Sequence, residues 1–295
     1  MTRLRADLII LFVAAVWGTA FVAQKSGMEG LGPLTFIASR FFLSLLVVLP
    51  FLLRDLKRAP VTRSMLVKFI PVCIAFLCGV YLQQVGVGHT SVTNAGFITG
   101  LYVIFTPFIS WMLFRHAPSK MVWPACALMI AGMYFLNGGS FTALGKGDLM
   151  ILACSVSFGF HVALTGWFLA SEPRPIFLVS LQYFICTLIF GIGAFAFESV
   201  SWDAIQNNWM PITYAGIISG GVAYTLQAVA QQYTPPSDAA IIMAGEALFA
   251  ALAGMILLGE TFTGQKILGC TLIMLAVLSV EALAFFKKGP SSPAD

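Results

Sequence analysis

Apolar runs of about twenty residues recur along the whole chain, separated by short polar punctuation. A helix needs about 20 apolar residues to cross a hydrocarbon layer of roughly 30 Å. Breaks at charges, Gly, Pro and Asn therefore predict ten such helices: 7–25, 33–54, 68–88, 91–115, 119–136, 147–170, 174–197, 209–232, 235–258 and 264–286. The runs 68–88 and 209–232 are the most polar, carrying Gln83, Gln84, Gln227, Gln231 and Gln232. Only Gly88-His89-Thr90 and Thr234-Pro235-Pro236 part them from the runs that follow, so helical hairpins are expected there.

The pattern is written twice. Asp7-Leu8-Ile9-Ile10-Leu11 returns as Asp148-Leu149-Met150-Ile151-Leu152, and Trp17-Gly18 falls opposite Phe158-Gly159, at an offset of 141 residues. Leu82-Gln83-Gln84-Val85 then lies over Leu226-Gln227-Ala228-Val229, Thr90 over Thr234, Ala95 over Ala239, Phe105 over Phe249 and Leu128 over Leu272, at an offset of 144. Each copy holds five helices, an odd number, so the second copy starts from the opposite side of the membrane. The predicted fold is all-α and integral to the membrane: ten transmembrane helices as two inverted five-helix repeats, 7–137 and 147–286. Related halves moving about a shared site are a common basis of carriers. Met1-Thr2-Arg3-Leu4-Arg5 before an apolar run has the outline of a signal peptide. That run has a repeat partner at 148–170, so it is read as part of the fold. The polar tail after Phe286 is expected to be disordered.

Composition fits a lipid solvent. Of 295 residues, 59% are hydrophobic and 9% charged, against about 25% charged in a soluble domain. The six cysteines all fall inside apolar runs without CxxC spacing and read as small buried hydrophobes. The basic residues set an orientation. Arg3, Arg5, Arg54, Lys57, Arg58, Arg63, Lys68, Arg115, Lys120, Arg174, Lys287 and Lys288 fall on the amino-terminal side, against Lys25, Lys146 and Lys266 on the other. Basic loops stay in the cytoplasm, which places both termini there.

Several function classes lose support. There is no His-Glu-x-x-His pattern, and the three histidines are far apart, so a membrane-embedded enzyme would have to assemble its site from several helices. No filter loop or ring of one charge suggests a channel. No GxxxxGK[ST] sequence is present, so the motor would be a gradient of substrate or ions. No cofactor, metal or nucleic-acid partner is expected. The expected partners are a small-molecule substrate and the bilayer, with no obligate protein partner.

Candidate chemistry starts from polar residues deep in the runs. Glu246 lies midway along 235–258, where a charge costs roughly 2.5–3.5 kcal/mol. It reads as a partner for a substrate ammonium or a proton, or as a carboxyl bonded between helices. Tyr102 is its repeat counterpart, a cavity wall or a packing residue. Arg40, opposite Gln182 in the repeat, reads first as a structural cation that snorkels or bonds helix carbonyls. Its alternative use is a two-pronged contact to a carboxylate. His161 is the only histidine deep in a run, and either titrates or bonds a neighbouring helix. Trp17 is central in its run, whereas Trp111, Trp123, Trp167 and Trp209 lie near run ends, as interfacial aromatics do. Gln83, Gln84, Asn94, Thr99, Tyr224 and Gln227 would be wasted on lipid and are read as cavity lining or interhelical hydrogen bonds. Gly96-x-x-x-Gly100 and Gly216-x-x-x-Gly220 read as packing sites.

Trp17-Gly18-Thr19-Ala20-Phe21, Ser39-Arg40-Phe41, Pro107, Glu246-Ala247-Leu248-Phe249-Ala250 and Leu257-Leu258-Gly259-Glu260 together resemble the patterns of the EamA family, within the drug/metabolite transporter superfamily. The resemblance covers roughly residues 7–286. It implies a bacterial inner-membrane carrier with a central cavity lined mainly by the first, third, fourth, sixth, eighth and ninth helices. The chain departs from the family in having Glu246-Ala247 where Glu-Pro is frequent, which removes a proline hinge from that helix. A general likeness extends to aromatic amino-acid exporters of the YddG type. The resulting expectation is a secondary transporter exporting small metabolites, amino acids with aromatic and hydrophobic side chains included, by alternating access. Cationic drugs or other metabolites are the alternative cargo. The candidate substrate contacts are Trp17, Gln83, Asn94, Tyr102, His161, Tyr224, Gln227 and Glu246, with Arg40 structural or a carboxylate contact.

Overall fold

The structure is a computed structural model that describes every residue except 29, 116, 137–144, 259–262 and 288–295. His116, the Gly259-Glu260 motif, the repeat boundary at 137 and the polar tail from Lys288 lie outside the described residues.

The apolar runs fold as helices, and polar residues at their edges cap them. Helix α1 (Arg3–Ser26) begins at Thr2, whose hydroxyl accepts from the Arg5 amide. Helix α2 (Pro33–Arg58) starts on a proline, which gives up no hydrogen bond at that position. Helix α3 (Arg63–Gly88) is capped by Thr62 and helix α4 (Val92–Thr99) by Ser91. Helices α5 (Tyr102–Phe114), α6 (Val122–Leu136), α7 (Lys146–Ser171), α8 (Pro175–Phe197) and the short α9 (Trp202–Asn207) follow. Helix α10 (Trp209–Thr213) runs into a π-helix (Tyr214–Tyr224) and then α11 (Thr225–Ala230). Helices α12 (Pro236–Ala244), α13 (Glu246–Leu258) and α14 (Gly264–Lys287) complete the chain.

No strand occurs among the described residues. Eight helical stretches are long and apolar enough to cross a membrane, and two shorter apolar helices, Val122–Leu136 and Gly264–Val280, accompany them. Helix α9 lies in a stretch read from the sequence as a connection. Phe195, Phe197, Ile192 and Ile256 are among many large apolar side chains left facing outward, the surface expected where lipid is the solvent.

Helix pairs α2 with α8, α3 with α7, α6 with α14, α1 with α13 and α5 with α7 form the main packing contacts. Two crossings need a residue without a side chain. A Cβ on Gly18 of α1 would lie 2.5 Å from the Glu246 carbonyl oxygen and 2.6 Å from Phe249 Cβ of α13. A Cβ on Gly159 of α7 would lie 2.7 Å from Phe105 Cβ of α5. Gly18 and Gly159 are counterparts in the repeat, and so are Phe249 and Phe105. The duplicated sequence thus makes the same contact twice. Gly216 and Gly220 act as packing positions, against Leu43 and Ser44 of α2 respectively.

A second matched pair is polar. Near the start of α1, Asp7 Oδ1 accepts from Thr234 Oγ1 at 2.5 Å, and Asp7 Oδ2 pairs with Arg3 Nε at 3.3 Å. Arg3 Nη2 reaches Asp238 Oδ2 at 2.5 Å. Towards the end of α1, Asp148 Oδ1 accepts from Thr90 Oγ1 at 2.5 Å, and Lys25 Nζ donates to the Thr90 carbonyl. Asp7 and Asp148 are repeat counterparts, as are Thr234 and Thr90. At 1.5 Å per residue, Arg3 and Lys25 are about 33 Å apart along α1, close to the hydrocarbon thickness.

Helix α2 also receives a cap from a distant residue. Glu198, just past α8, accepts from the Leu34 amide at 2.8 Å, the Thr35 amide at 2.8 Å and the Thr35 hydroxyl at 2.7 Å. An anion at a helix N-terminus satisfies otherwise unpaired amides and meets the positive end of the helix dipole. Glu198→Ala is expected to cost about 2 kcal/mol, read as a lower melting temperature of the detergent-solubilised protein. Glu198→Gln, which keeps one acceptor, should lose less.

Candidate functional site: a narrow cavity beside helix α1

Between the two polar contacts along α1 lies a cavity of about 30 Å³. Its aromatic wall is built by Trp17 and Phe21 of α1, Phe158 of α7 and Tyr224 at the end of the π-helix. Trp17 and Tyr224 meet in a tilted contact with ring centroids 4.5 Å apart, and Phe76 meets Tyr224 edge-on at 5.4 Å. The Trp17 indole donates to the Ser219 carbonyl at 3.3 Å, which ties α1 to the π-helix.

The π-helix is held open by neighbours that take up its carbonyls. Ser44 Oγ donates to the Gly216 carbonyl at 2.7 Å, and the Tyr183 hydroxyl to the Gly220 carbonyl at 2.9 Å. Such widened turns often mark functional sites. Here the widened segment delivers Ser219 and Tyr224 to the cavity.

Polar groups supply the rest of the lining. Gln24, Gln83, Thr99, Tyr102, His161, Gln227 and Glu246 all reach the cavity. Gln227 is tied by its amide to Gln231 Oε1 at 2.6 Å, and Gln231 in turn donates to the Val162 carbonyl at 3.2 Å. The Gln182 amide nitrogen lies 3.1 Å from His161 Nε2. This contact ties α8 to α7. His161 therefore combines a cavity position with a helix-to-helix hydrogen bond.

Tyr102 and Glu246 occupy matched backbone sites. The run 92–114 tightens at Gly100 and Leu101, where Leu101 N bonds Ile98 O and Val103 N bonds Gly100 O. The run 236–258 tightens at Gly245, where Gly245 N bonds Ile242 O and Leu248 N bonds Gly245 O. Tyr102 and Glu246 are the first residues after these points. In α12–α13 the interruption occurs at Gly245, without the proline that the family often has next to its glutamate. Glu246 Oε1, Tyr102 Oη and Thr99 Oγ1 are buried and make no close hydrogen bond among the described residues.

Arg40 is the residue whose setting differs most from its first reading. Its side chain does not snorkel, being 3% exposed, and its Nε and Nη2 have no hydrogen-bond partner among the described residues. The guanidinium lies 4.8 Å from the Phe41 ring centroid and faces the cavity. The helices implied by the family resemblance all contribute to the lining, and Arg40 adds α2 to them.

Of the candidate contacts named from the sequence, the fold gathers Trp17, Gln83, Tyr102, His161, Tyr224, Gln227 and Glu246, with Arg40, around one space. Asn94 does not line it; its amide donates to the Ser91 hydroxyl in the first turn of α4. Gln84 bonds the Gln24 carbonyl at 3.2 Å instead of the cavity. Phe21, Gln24, Phe158, Val162, Ser219 and Met243 line the cavity without having been singled out. Phe158 was within reach, since it is the repeat counterpart of Trp17, and Gln24 is a polar residue inside the first apolar run. Nothing local marks Val162 or Met243 apart from the rest of the core.

Comparison with known proteins places this architecture. The EamA-like transporter family model matches the chain twice, over residues 4–138 and 145–281. An uncharacterized transporter of Archaeoglobus fulgidus is 32% identical over 282 residues, covering 95% of this chain and 86% of its own. The S-adenosylmethionine/S-adenosylhomocysteine transporter of Chlamydia trachomatis serovar L2 is 26% identical, covering 91% and 88%. The uncharacterized inner membrane transporter YedA of Escherichia coli K12 is 24% identical, covering 90% and 87%. A crystal structure aligns with a TM-score of 0.78 at 17% identity over 96% of this chain and 99% of that one, which is a likeness of fold alone. With both copies matched and the apolar helices packed around an internal polar cavity, the chain belongs to the EamA-like transporter family, a family of multi-pass membrane transporters and not of enzymes.

Proposed function

We propose that this transporter exports small metabolites, amino acids with aromatic and hydrophobic side chains included, across the bacterial inner membrane by alternating access. The observation that carries the reading is the narrow, mixed aromatic and polar cavity between two polar contacts at opposite ends of α1. Its roughly 30 Å³ holds a water or two, whereas small-molecule sites measure about 300–1,000 Å³. Substrate can enter only if the cavity widens, and a carrier must do so on one side at a time.

The two Asp–Thr contacts are suited to that task. In this reading Asp7 with Thr234, Arg3 and Asp238 closes the cytoplasmic end, and Asp148 with Thr90 and Lys25 closes the outer end. The chain then crosses the membrane ten times as two inverted repeats, 7–137 and 147–286, with both termini cytoplasmic. The repeated sequence, the twofold family match and the duplicated contacts support the arrangement. The aromatic wall suits apolar or aromatic side chains of the cargo, and no obligate protein partner is needed.

A second cargo deserves the same assay, because the Chlamydia relatives carry S-adenosylmethionine and S-adenosylhomocysteine in their names. Both compounds are α-amino acids with an aromatic base, compatible with the same wall. The test is uptake and counterflow in liposomes containing the purified protein, against a panel of amino acids, S-adenosyl compounds, sugars and cationic drugs, with and without a pH gradient. Saturable flux with counterflow of an amino acid is expected. Non-saturable flux would indicate a channel, and preference for a cationic drug would replace the proposed cargo. Trp17→Ala is expected to raise the half-saturating concentration about tenfold by removing the indole from the aromatic wall. Wild-type kinetics would return Trp17 to a packing role.

A further inference from the structure

We propose that Arg40 and Glu246 are the two recognition groups of a single binding site for zwitterions, the substrate carboxylate lying on Arg40 and its ammonium on Glu246. The proposal rests on the reading of the cavity as the transport site and narrows what that site accepts.

Both side chains are 3% exposed and both line the same cavity. No ion pair within 4 Å joins them or gives either another partner among the described residues. A buried charge without a counter-charge is costly, and proteins usually remove the cost by pairing. Here an arginine and a glutamate line one small space with no ion pair between them. Tyr224 stands within electrostatic reach of both.

The free atoms match the two ends of a zwitterion. Arg40 Nε and Nη2, the atoms without partners, form the side edge of the guanidinium, whose two parallel N–H groups grip a carboxylate in a fork. The rings of Phe41 and Phe36, 4.8 Å and 5.8 Å from the guanidinium carbon, hold that edge in orientation. At the other end, Glu246 Oε1, Tyr102 Oη and Thr99 Oγ1 are buried oxygens that make no close hydrogen bond among the described residues; the Tyr102 hydroxyl faces the Glu246 carboxyl, and all three residues line the cavity. An ammonium group carries three donors. A ligand with only a cation would leave Arg40 unpaired beside a second positive charge. A ligand with only an anion would leave Glu246 in the converse position. A molecule with both charges satisfies the two sets together, and the tilted pair Trp17 and Tyr224 takes its side chain.

The experiment is competition against counterflow of labelled L-phenylalanine in proteoliposomes, with phenylalaninamide (cation only) and N-acetylphenylalanine (anion only) as competitors. Both singly charged analogues are expected to compete roughly a hundredfold less well than phenylalanine, since each leaves one buried charge without its partner. Arg40→Gln should lose phenylalanine and gain phenylalaninamide, and Glu246→Gln should lose phenylalanine and gain N-acetylphenylalanine. Should either variant fail to fold, the wild-type competition series decides the matter, together with the rise in melting temperature that each ligand gives to the wild-type protein.

Equal competition by either analogue overturns the proposal. So does a protein whose counterflow and melting temperature respond to no zwitterion in the panel. Response to a dipeptide but to no α-amino acid, S-adenosylhomocysteine included, would end the amino-acid reading and uphold the zwitterion site. Counterflow of a neutral sugar would do the reverse, keeping transport while removing the charge pair from binding.

Discussion

On the proposed orientation, Asp7→Asn is expected to open the cavity towards the cytoplasmic end, and Asp148→Asn towards the outer end. Asp7 is 1% exposed and is held by Arg3 and Thr234. Removing one member of a buried charged network typically costs about 3–5 kcal/mol. That loss falls on conformations in which the contact is closed, because separated partners no longer make it. A bias of about 3 kcal/mol changes the ratio of two states by roughly a hundredfold. The measurement is labelling of Ser219→Cys, a cavity position, by an impermeant thiol reagent in an otherwise cysteine-free protein. Asp7→Asn should raise labelling from the cytoplasmic side and Asp148→Asn from the opposite side. If both variants raise labelling from one side, or neither changes it, the contacts are structural ties and not gates.

The second large effect concerns a crossing of helices. Gly18→Val is expected to eliminate most folded protein. The new Cβ alone would fall 2.5 Å from the Glu246 carbonyl oxygen and 2.7 Å from the Ala250 amide nitrogen, and backbone cannot yield as a side chain tip can. Overpacking costs about 1–3 kcal/mol where side chains adjust and more where they do not, so a cost of about 3 kcal/mol or more is expected. Any displacement of α13 would also move Glu246. Monodisperse elution in detergent and the melting temperature are the readouts. Gly159→Val should behave in the same way if the Phe105 crossing is equivalent to that of Phe249. A folded Gly18→Val protein with unchanged melting would show that the two helices can part without loss.

The repeat made part of the site legible before any coordinates. Tyr102 and Glu246 were paired by their offset, and both stand just after matched tightenings of their helices. The same bookkeeping would have found Phe158 through Trp17. It could not find the role of Arg40, because snorkelling, carbonyl bonding and ligand binding are all open to an arginine in an apolar run. Only the packing of Phe36 and Phe41 against it, with Nε and Nη2 left bare, separates these uses. Asn94 shows the converse: a polar residue in an apolar run was read as lining, yet it lies in the capped first turn of α4.

Hydropathy is a local property, so the amino-acid sequence by itself determined where the helices run, which residues cannot comfortably face lipid, and that the chain is duplicated. A contact between residues more than a hundred positions apart is not local. The tertiary structure alone decided that Asp7 meets Thr234, that Ser44 and Tyr183 hold the π-helix carbonyls, and that Arg40 and Glu246 face one cavity with no ion pair among the described residues. Burial makes the difference: in water these polar groups would each be solvated alone, and inside the helix bundle each must find a partner or leave a charge for a ligand to meet.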